Sequence, residues 1–234
     1  MRGDCKQLVY RKQGWVLISN MLSKVQVHRL KNKAKLITDE HMDTVFNGSA
    51  WLEDESNDCK RQQSAPFEDR MLQDVVKRVL VANGLWSDRV HRLDHFVMMR
   101  SLAGCSEQWP HSDYGRTFRH NDDIGVNRCP CELSLVLSLE NGTKMVVGVG
   151  TRSEPKEIHI PVGSALVFHG GLVHAGAAYD QSNTRIHAYI GNTPDGAQVP
   201  NATYPLAERV SRSTAQWFTG KRRKMREKQL ELGD

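Results

Sequence analysis

The chain has 234 residues with a formal net charge of +5, 39% hydrophobic residues and five cysteines. That length suits one domain with a substantial core, or a core with a helical extension. No stretch approaches roughly 18 consecutive apolar residues, so no membrane span is expected.

Taken in order, Gly14-Trp15-Val16-Leu17-Ile18-Ser19 is a short apolar run with β-branched residues and is predicted as a strand. Leu22-Ser23 then caps a basic helix over about 24–36, with Val25, Val27 and Leu30 on its sheltered side. Residues 47–66 form a polar loop broken by Gly48, Asn57, Asp58, Ser64 and Pro66, from which Trp51 packs onto the core. From Asp69 the period changes. Leu72, Val75, Val76, Val79 and Leu80 recur every three to four residues and Asn83-Gly84 is a stop signal, which predicts an amphipathic helix on the outside of a sheet.

Strands follow. Phe96 to Leu102 is one, and the stretch up to Trp109 is a second that delivers His111 at its end. Residues 112–131 make a long loop, a length typical of lids and binding loops. Leu133 to Leu139 is predicted as a strand that turns back through a Glu140-Asn141-Gly142-Thr143 hairpin into Met145–Val149. Glu157–Ile160, Ser164–Phe168, Leu172–His174 and Arg185–Ile190 complete the set, separated by turns at Pro161-Val162-Gly163 and His169-Gly170-Gly171. Eight short strands at this spacing predict a mainly β protein with flanking helices, a cupin-like jelly roll or double-stranded β-helix. The expected division is an N-terminal strand and helical support over 1–93, the jelly-roll core over 94–191 and a C-terminal helical extension over 192–234, one structural domain in all. That extension is predicted as a closing helix from Pro200, around Leu206, Val210, Trp217 and Phe218.

Within the core, His111 and Asp113 lie two residues apart in Trp109-Pro110-His111-Ser112-Asp113, so an extended backbone puts both side chains on one face. His174 follows 61 residues after Asp113, and Arg185 comes 11 residues after His174. Two histidines and a carboxylate are the facial triad of non-heme Fe(II) oxygenases, which leaves coordination positions open. Two neutral imidazoles with one carboxylate leave a +1 centre suited to an anionic ligand. His169 competes for the second histidine position; His174 is preferred because it lies in a strand and fits the spacing to Arg185.

In these residues the sequence resembles the Fe(II)/2-oxoglutarate-dependent dioxygenases, whose signature is H-x-D, a distant second His and an Arg about ten residues beyond it. The resemblance covers roughly residues 94–191, with a vaguer likeness at 14–30. It implies Fe(II) held by His111, Asp113 and His174, 2-oxoglutarate as co-substrate and O2 as oxidant. It also implies oxidative decarboxylation to succinate and carbon dioxide, coupled to hydroxylation or oxidative demodification of a substrate it does not name. Arg185 takes the role of the clamp on the far carboxylate, where a planar fork meets a planar anion. Two residues on, where many members have Ser or Thr, this chain has His187, which either takes over that hydrogen bond or alters the pocket. The nucleic-acid dealkylase branch places a second Arg six residues after the first, where this chain has Gly191. Tyr114, Arg116 and Arg119 are candidates for the substrate entrance. Lys144 is either a further carboxylate partner or an exposed turn lysine.

Two other readings share these residues: a non-catalytic cupin-like protein that holds a metal or small ligand, and an oxygenase directed to nucleic acid or chromatin by basic ends. Residues 1–35 carry nine Lys/Arg against one acid and 221–234 carry six against three, while 36–220 net −6. Such ends suit solvated tails, or contacts with nucleic acid or acidic partners, and the former is favoured. Cys5, Cys59, Cys105, Cys129 and Cys131 are scattered and odd in number, Cys129-Pro130-Cys131 lacks a second pair to complete a zinc knuckle, and no apolar leader follows Met1. An intracellular protein, cytoplasmic or nuclear, is expected.

Overall fold

A computed structural model describes Tyr10, residues 13–45, 60–88, 91–93, 95–108, 110–113, 132–148 and 155–191, and the backbone of 204–205. Within these residues twelve strands form two antiparallel sheets: β1 (Trp15–Ile18), β2 (Met42–Thr44), β3 (Arg61–Ser64), β4 (Val97–Ser101), β5 (His111–Ser112), β6 (Leu133–Ser138), β7 (Lys144–Val147), β8 (Lys156–His159), β9 (Ala165–His169), β10 (His174–Gly176), β11 (Asn183–Ile190) and β12 (Tyr204–Pro205). The larger sheet has the order β1-β9-β6-β11-β4-β3-β2 and the smaller β12-β5-β10-β7-β8. From β4 to β11 the chain passes repeatedly from one sheet to the other, the winding of a double-stranded β-helix.

Two helices, α1 (Lys24–Lys35) and α2 (Arg70–Ala82), cover the outer face of the larger sheet. Ser23 caps α1 through a reciprocal box with Gln26, and Asp69 caps α2 by accepting from the Leu72 amide at 3.1 Å. Asp69 also ties the helices together, since its carboxylate receives both hydrogen bonds from Arg29 Nη2 at 2.7 Å and lies 3.4 Å from Lys33 Nζ. Leu72, Val75, Val76 and Leu80 of α2 and Val27 and Leu30 of α1 pack with Leu133, Leu135, Leu137, Ile186, Ala188 and Ile190. Val25, expected to be sheltered, is 79% exposed, because it lies two residues from Val27 and so about 200° round the helix from the buried stripe of Val27, Leu30 and Ala34. Gly163, at φ +74°, joins α1 to the sheets: a Cβ there would meet the Leu22 carbonyl oxygen at 2.9 Å. Only glycine fits such a turn without strain.

A second cluster fills the space between the sheets, with Val136, Leu166 and Phe168 of the larger sheet against Met145, Val147 and Ile158 of the smaller. Along β6 and β11 the even and odd positions therefore divide the work. Leu133, Leu135, Leu137, Ile186, Ala188 and Ile190 face the helices, and the alternate residues, Arg185, His187 and Tyr189 among them, face the interior.

Four predicted elements are corrected. The turn at Glu140–Thr143 is not a hairpin, because β6 and β7 lie in different sheets and the turn carries the chain across. Ser138 and Thr143 hydroxyls both donate to the Glu140 carbonyl there, which closes the turn without strand pairing. Arg61–Ser64 is a strand rather than loop; its polar side chains are satisfied inside the fold instead of by solvent. Among the described residues 102–108 no strand is formed, and His111 itself opens β5. Residues 204–205 pair with β5 as a strand, where the predicted closing helix begins, and the remainder of that helix lies outside the described residues, as do Trp51 and the loop 114–131. No described helix is long and apolar enough to cross a membrane.

Candidate metal centre

The site is assembled by two short neighbours in the smaller sheet. β5 and β10 pair with His174 opposite His111, which brings the two imidazole rings to 4.4 Å. Asp113 lies in the bend that follows β5, so its carboxylate swings back toward both rings. The approach to β5 is clamped from behind. Gln108 donates its amide to the Gly176 carbonyl at 2.9 Å and accepts from the Gly176 amide on its side-chain oxygen at 3.2 Å. Arg61, fully buried, donates to the Ser106 and Ala177 carbonyls at 2.7 and 2.9 Å, which fastens residues 102–108 to the end of β10. Glycine at 176 is what permits this: a Cβ there would collide with Gln108 Oε1 and stand 2.6 Å from Arg61 Nη1.

Donor atoms of His111, Asp113 and His174 all lie within 4.8 Å of one another, and the three residues are 6%, 2% and 5% exposed. Among the described residues no other group of His, Cys, Asp or Glu converges in this way. The leucine carbonyl at 172 accepts from His174 Nδ1 at 2.9 Å, so the proton sits on Nδ1 and the Nε2 lone pair is turned toward Asp113 Oδ1, 3.5 Å away. A lone pair and an anionic oxygen facing each other in a buried site repel unless a proton or a metal ion lies between them. The other oxygen, Oδ2, is buried with no hydrogen-bond partner among the described residues, and His187 Nε2 stands 3.5 Å from it. Burial opposes ionisation of Asp113, but a proton on the facing His174 nitrogen, in the place a metal ion would otherwise take, together with the His187 imidazole outweighs it and holds the carboxyl well below the usual carboxylate range. An ionised carboxylate and two imidazoles are the donor set of a mixed N/O transition-metal site, and a facial set around an ion at about 2.1 Å places its donors roughly 3 Å apart. The residues fit such an ion.

Arg185 lies deeper along β11, two residues from His187 and thus roughly 7 Å along the strand. It is 4% exposed, donates from Nη1 to Ser101 Oγ at 3.0 Å and stacks on the Tyr179 ring at 5.2 Å. Among the described residues no carboxylate makes an ion pair with it. A buried guanidinium is costly unless its charge is balanced, and an anionic ligand is one group that could balance it here. On the other side of His187, Tyr189 sets its ring edge-on at 4.4 Å, and Phe168 packs against His174 at 4.8 Å.

The structure brings together His111, Asp113, His174, Arg185 and His187 in one barrel. It leaves His169 apart from the cluster, where its Nδ1 accepts from the Gly171 amide at 3.0 Å. Lys144 pairs with Glu157 at 3.6 Å, as an ordinary partly exposed lysine would. Tyr114, Arg116 and Arg119 lie outside the described residues. Sequence reasoning missed Ser101, Tyr179, Arg61 and Gln108. The inward parity of β4 points to Ser101; Tyr179 and Gln108 lie outside the named strands, where no periodicity marks them.

No protein-family model matches the chain, and no curated protein matches it. Many solved structures do. The non-heme alpha-ketoglutarate-dependent epimerase SnoN from nogalamycin biosynthesis is 14% identical, with 89% of this chain and 97% of that chain covered and a TM-score of 0.58. A prolyl-4-hydroxylase from Pseudomonas putida is 13% identical over 81% and 98%, at 0.53. HygX from Streptomyces hygroscopicus, with nickel and 2-oxoglutarate bound, is 11% identical over 88% and 98%, at 0.54. The chain therefore has the double-stranded β-helix fold of Fe(II)/2-oxoglutarate oxygenase structures, with a buried His-Asp-His triad inside it.

Proposed function

We propose that the protein is an Fe(II)- and 2-oxoglutarate-dependent dioxygenase that hydroxylates or oxidatively demodifies a second substrate. The observation that carries this reading is the pairing, inside one barrel, of a two-histidine, one-carboxylate cluster with a buried arginine that has no carboxylate partner among the described residues. His111, Asp113 and His174 would hold the iron. Bound there, the ion supplies the redox chemistry by which O2 decarboxylates 2-oxoglutarate to succinate and carbon dioxide and oxidises the second substrate.

The chain's own residues do the rest. Asp113 stays ionised and offsets half the charge of the ion, so the centre attracts an anionic 2-oxoacid. Arg185 orients that acid by its far carboxylate through a charge-assisted, bidentate pair, with Ser101 and Tyr179 holding the guanidinium in place. Leu172 fixes the His174 tautomer, and Phe168 and Val136 keep the interior dry. The wall beyond His187, carrying Tyr189, is left for the second substrate; Tyr114, Arg116 and Arg119 stay candidates from their sequence position after Asp113 alone. The similar HygX structure, with nickel and 2-oxoglutarate bound, supports the co-substrate.

The test is O2-dependent succinate release from 2-oxoglutarate by the Fe(II)-loaded protein, first alone and then with substrate pools. Turnover is expected in the wild type and a loss of at least about 100-fold in Asp113→Ala and His174→Ala, since each removes a metal ligand. Metal binding without any succinate from any pool would favour a non-catalytic cupin-like binding protein instead.

A further inference from the structure

His187 stands where its strand neighbours leave it little freedom. It is 6% exposed, pairs in register with Val136 and Val97, and is braced by Tyr189 edge-on at 4.4 Å and by Phe168 at 6.5 Å. The ring so held aims Nε2 at Asp113 Oδ2, 3.5 Å away, while the other carboxylate oxygen, Oδ1, faces His174 Nε2 at the same distance. Among the described residues Oδ2 is otherwise without a hydrogen bond, and a buried carboxylate oxygen left so is costly.

We propose that His187 is a positioning residue that donates from Nε2–H to Asp113 Oδ2, so that Asp113 offers the metal ion Oδ1 alone. This rests on the metal-centre reading above and deepens it. Carboxylates bind metal ions through one oxygen or two. A second oxygen on the ion would consume one of the three positions that a facial triad leaves for ligands. A contraction of about 0.6 Å makes the 3.5 Å approach an ordinary hydrogen bond of about 2.9 Å. The role differs from that of a co-substrate contact: His187 acts through Asp113 and is spent on it.

Co(II) is the probe, because its visible absorption reports coordination number and needs no turnover. Four measurements are made on the purified full chain: the Co(II) dissociation constant, the Co(II) spectrum, the affinity of the Co(II) form for 2-oxoglutarate, and thermal unfolding. His187→Phe keeps the ring and loses the donor. It is expected to unfold near the wild-type temperature, bind Co(II) about 10-fold more weakly and show an altered spectrum, in line with the cost of removing a partner of a metal ligand. His187→Gln, whose amide nitrogen reaches the place of Nε2, should restore most of the affinity and the wild-type spectrum. If His187→Phe fails to fold, His187→Asn, whose amide stops short of Oδ2, takes its place with the same expected loss. Unchanged Co(II) affinity and spectrum in the donor-less variants would overturn the proposal. So would a loss confined to 2-oxoglutarate affinity, which would make His187 a co-substrate contact, or a failure of His187→Gln to rescue, which would make the imidazole a ligand. A wild-type protein that binds no Co(II) would instead remove the metal centre itself.

Discussion

Arg185 is 4% exposed and no carboxylate among the described residues pairs with it; on the proposed function a ligand's carboxylate takes that place. Hydrogen bonds to charged groups are worth about 1.5–3 kcal/mol, or roughly 10- to 150-fold in affinity. Arg185→Ala should therefore weaken 2-oxoglutarate binding by that factor, and Arg185→Lys by several-fold, because the charge stays but the fork is gone. Calorimetry on the metal-loaded variants checks both, with pyruvate as the control. Pyruvate has no distal carboxylate and should be indifferent to either change, whereas equal losses for both acids would make Arg185 structural. At this scale the sequence is most informative where a residue type and a spacing together imply chemistry. The H-x-D pair, the later histidine and the arginine 11 residues on are of that kind. The closeness of His187 to Asp113 is not, because it depends on a bend after β5 that no local pattern encodes.

Asp69 shows what holds the helical cover in place. Its carboxylate caps α2 and binds Arg29 and Lys33 of α1, so one side chain serves two elements. Burial pushes its pKa up, while the Arg29 hydrogen bonds, the Leu72 amide and the charges of Arg29 and Lys33 push it down further, leaving it below the usual carboxylate range. A depressed folded-state pKa means stabilisation that is complete above the unfolded value of about 3.9 and is lost as pH falls through the lower folded value. Asp69→Ala should cost about 2 kcal/mol at neutral pH, mostly the cap, since Arg29 is half exposed and its pairing is screened. Asp69→Asn keeps a cap and loses the charge, so its deficit relative to wild type should shrink as the pH drops below about 4; urea unfolding across that range measures it. The two helices are legible in the sequence because their caps and their three-to-four periodicity agree. β3 is not, since Arg61-Gln62-Gln63-Ser64 has the composition of a loop and becomes a strand only through partners on residues 98–106 and 177.

Across the whole molecule, the strand count and order of the core can be read from turns and apolar runs, but which strands pair cannot. A hairpin and a crossing between sheets have the same turn residues, and Glu140–Thr143 is the second kind. β1, β2 and β3, which precede the jelly-roll strands, extend the larger sheet at both of its edges, so the support region is continuous with the barrel it braces. Charge is also shared between them: Arg29 and Lys33 of the basic N-terminal stretch are used on Asp69, and Lys31 lies 4.0 Å from Glu140. What this scaffold is for comes down to whether the buried triad and the buried arginine act on one ligand. Anaerobic titration with 2-oxoglutarate, in the absence and presence of one equivalent of Fe(II), answers that directly. Binding should be at least about tenfold tighter with the metal, one acid per chain, with a charge-transfer absorption that His174→Ala abolishes. Equal affinity with and without Fe(II), or no binding in either case, would contradict a site in which both ends of the acid are held.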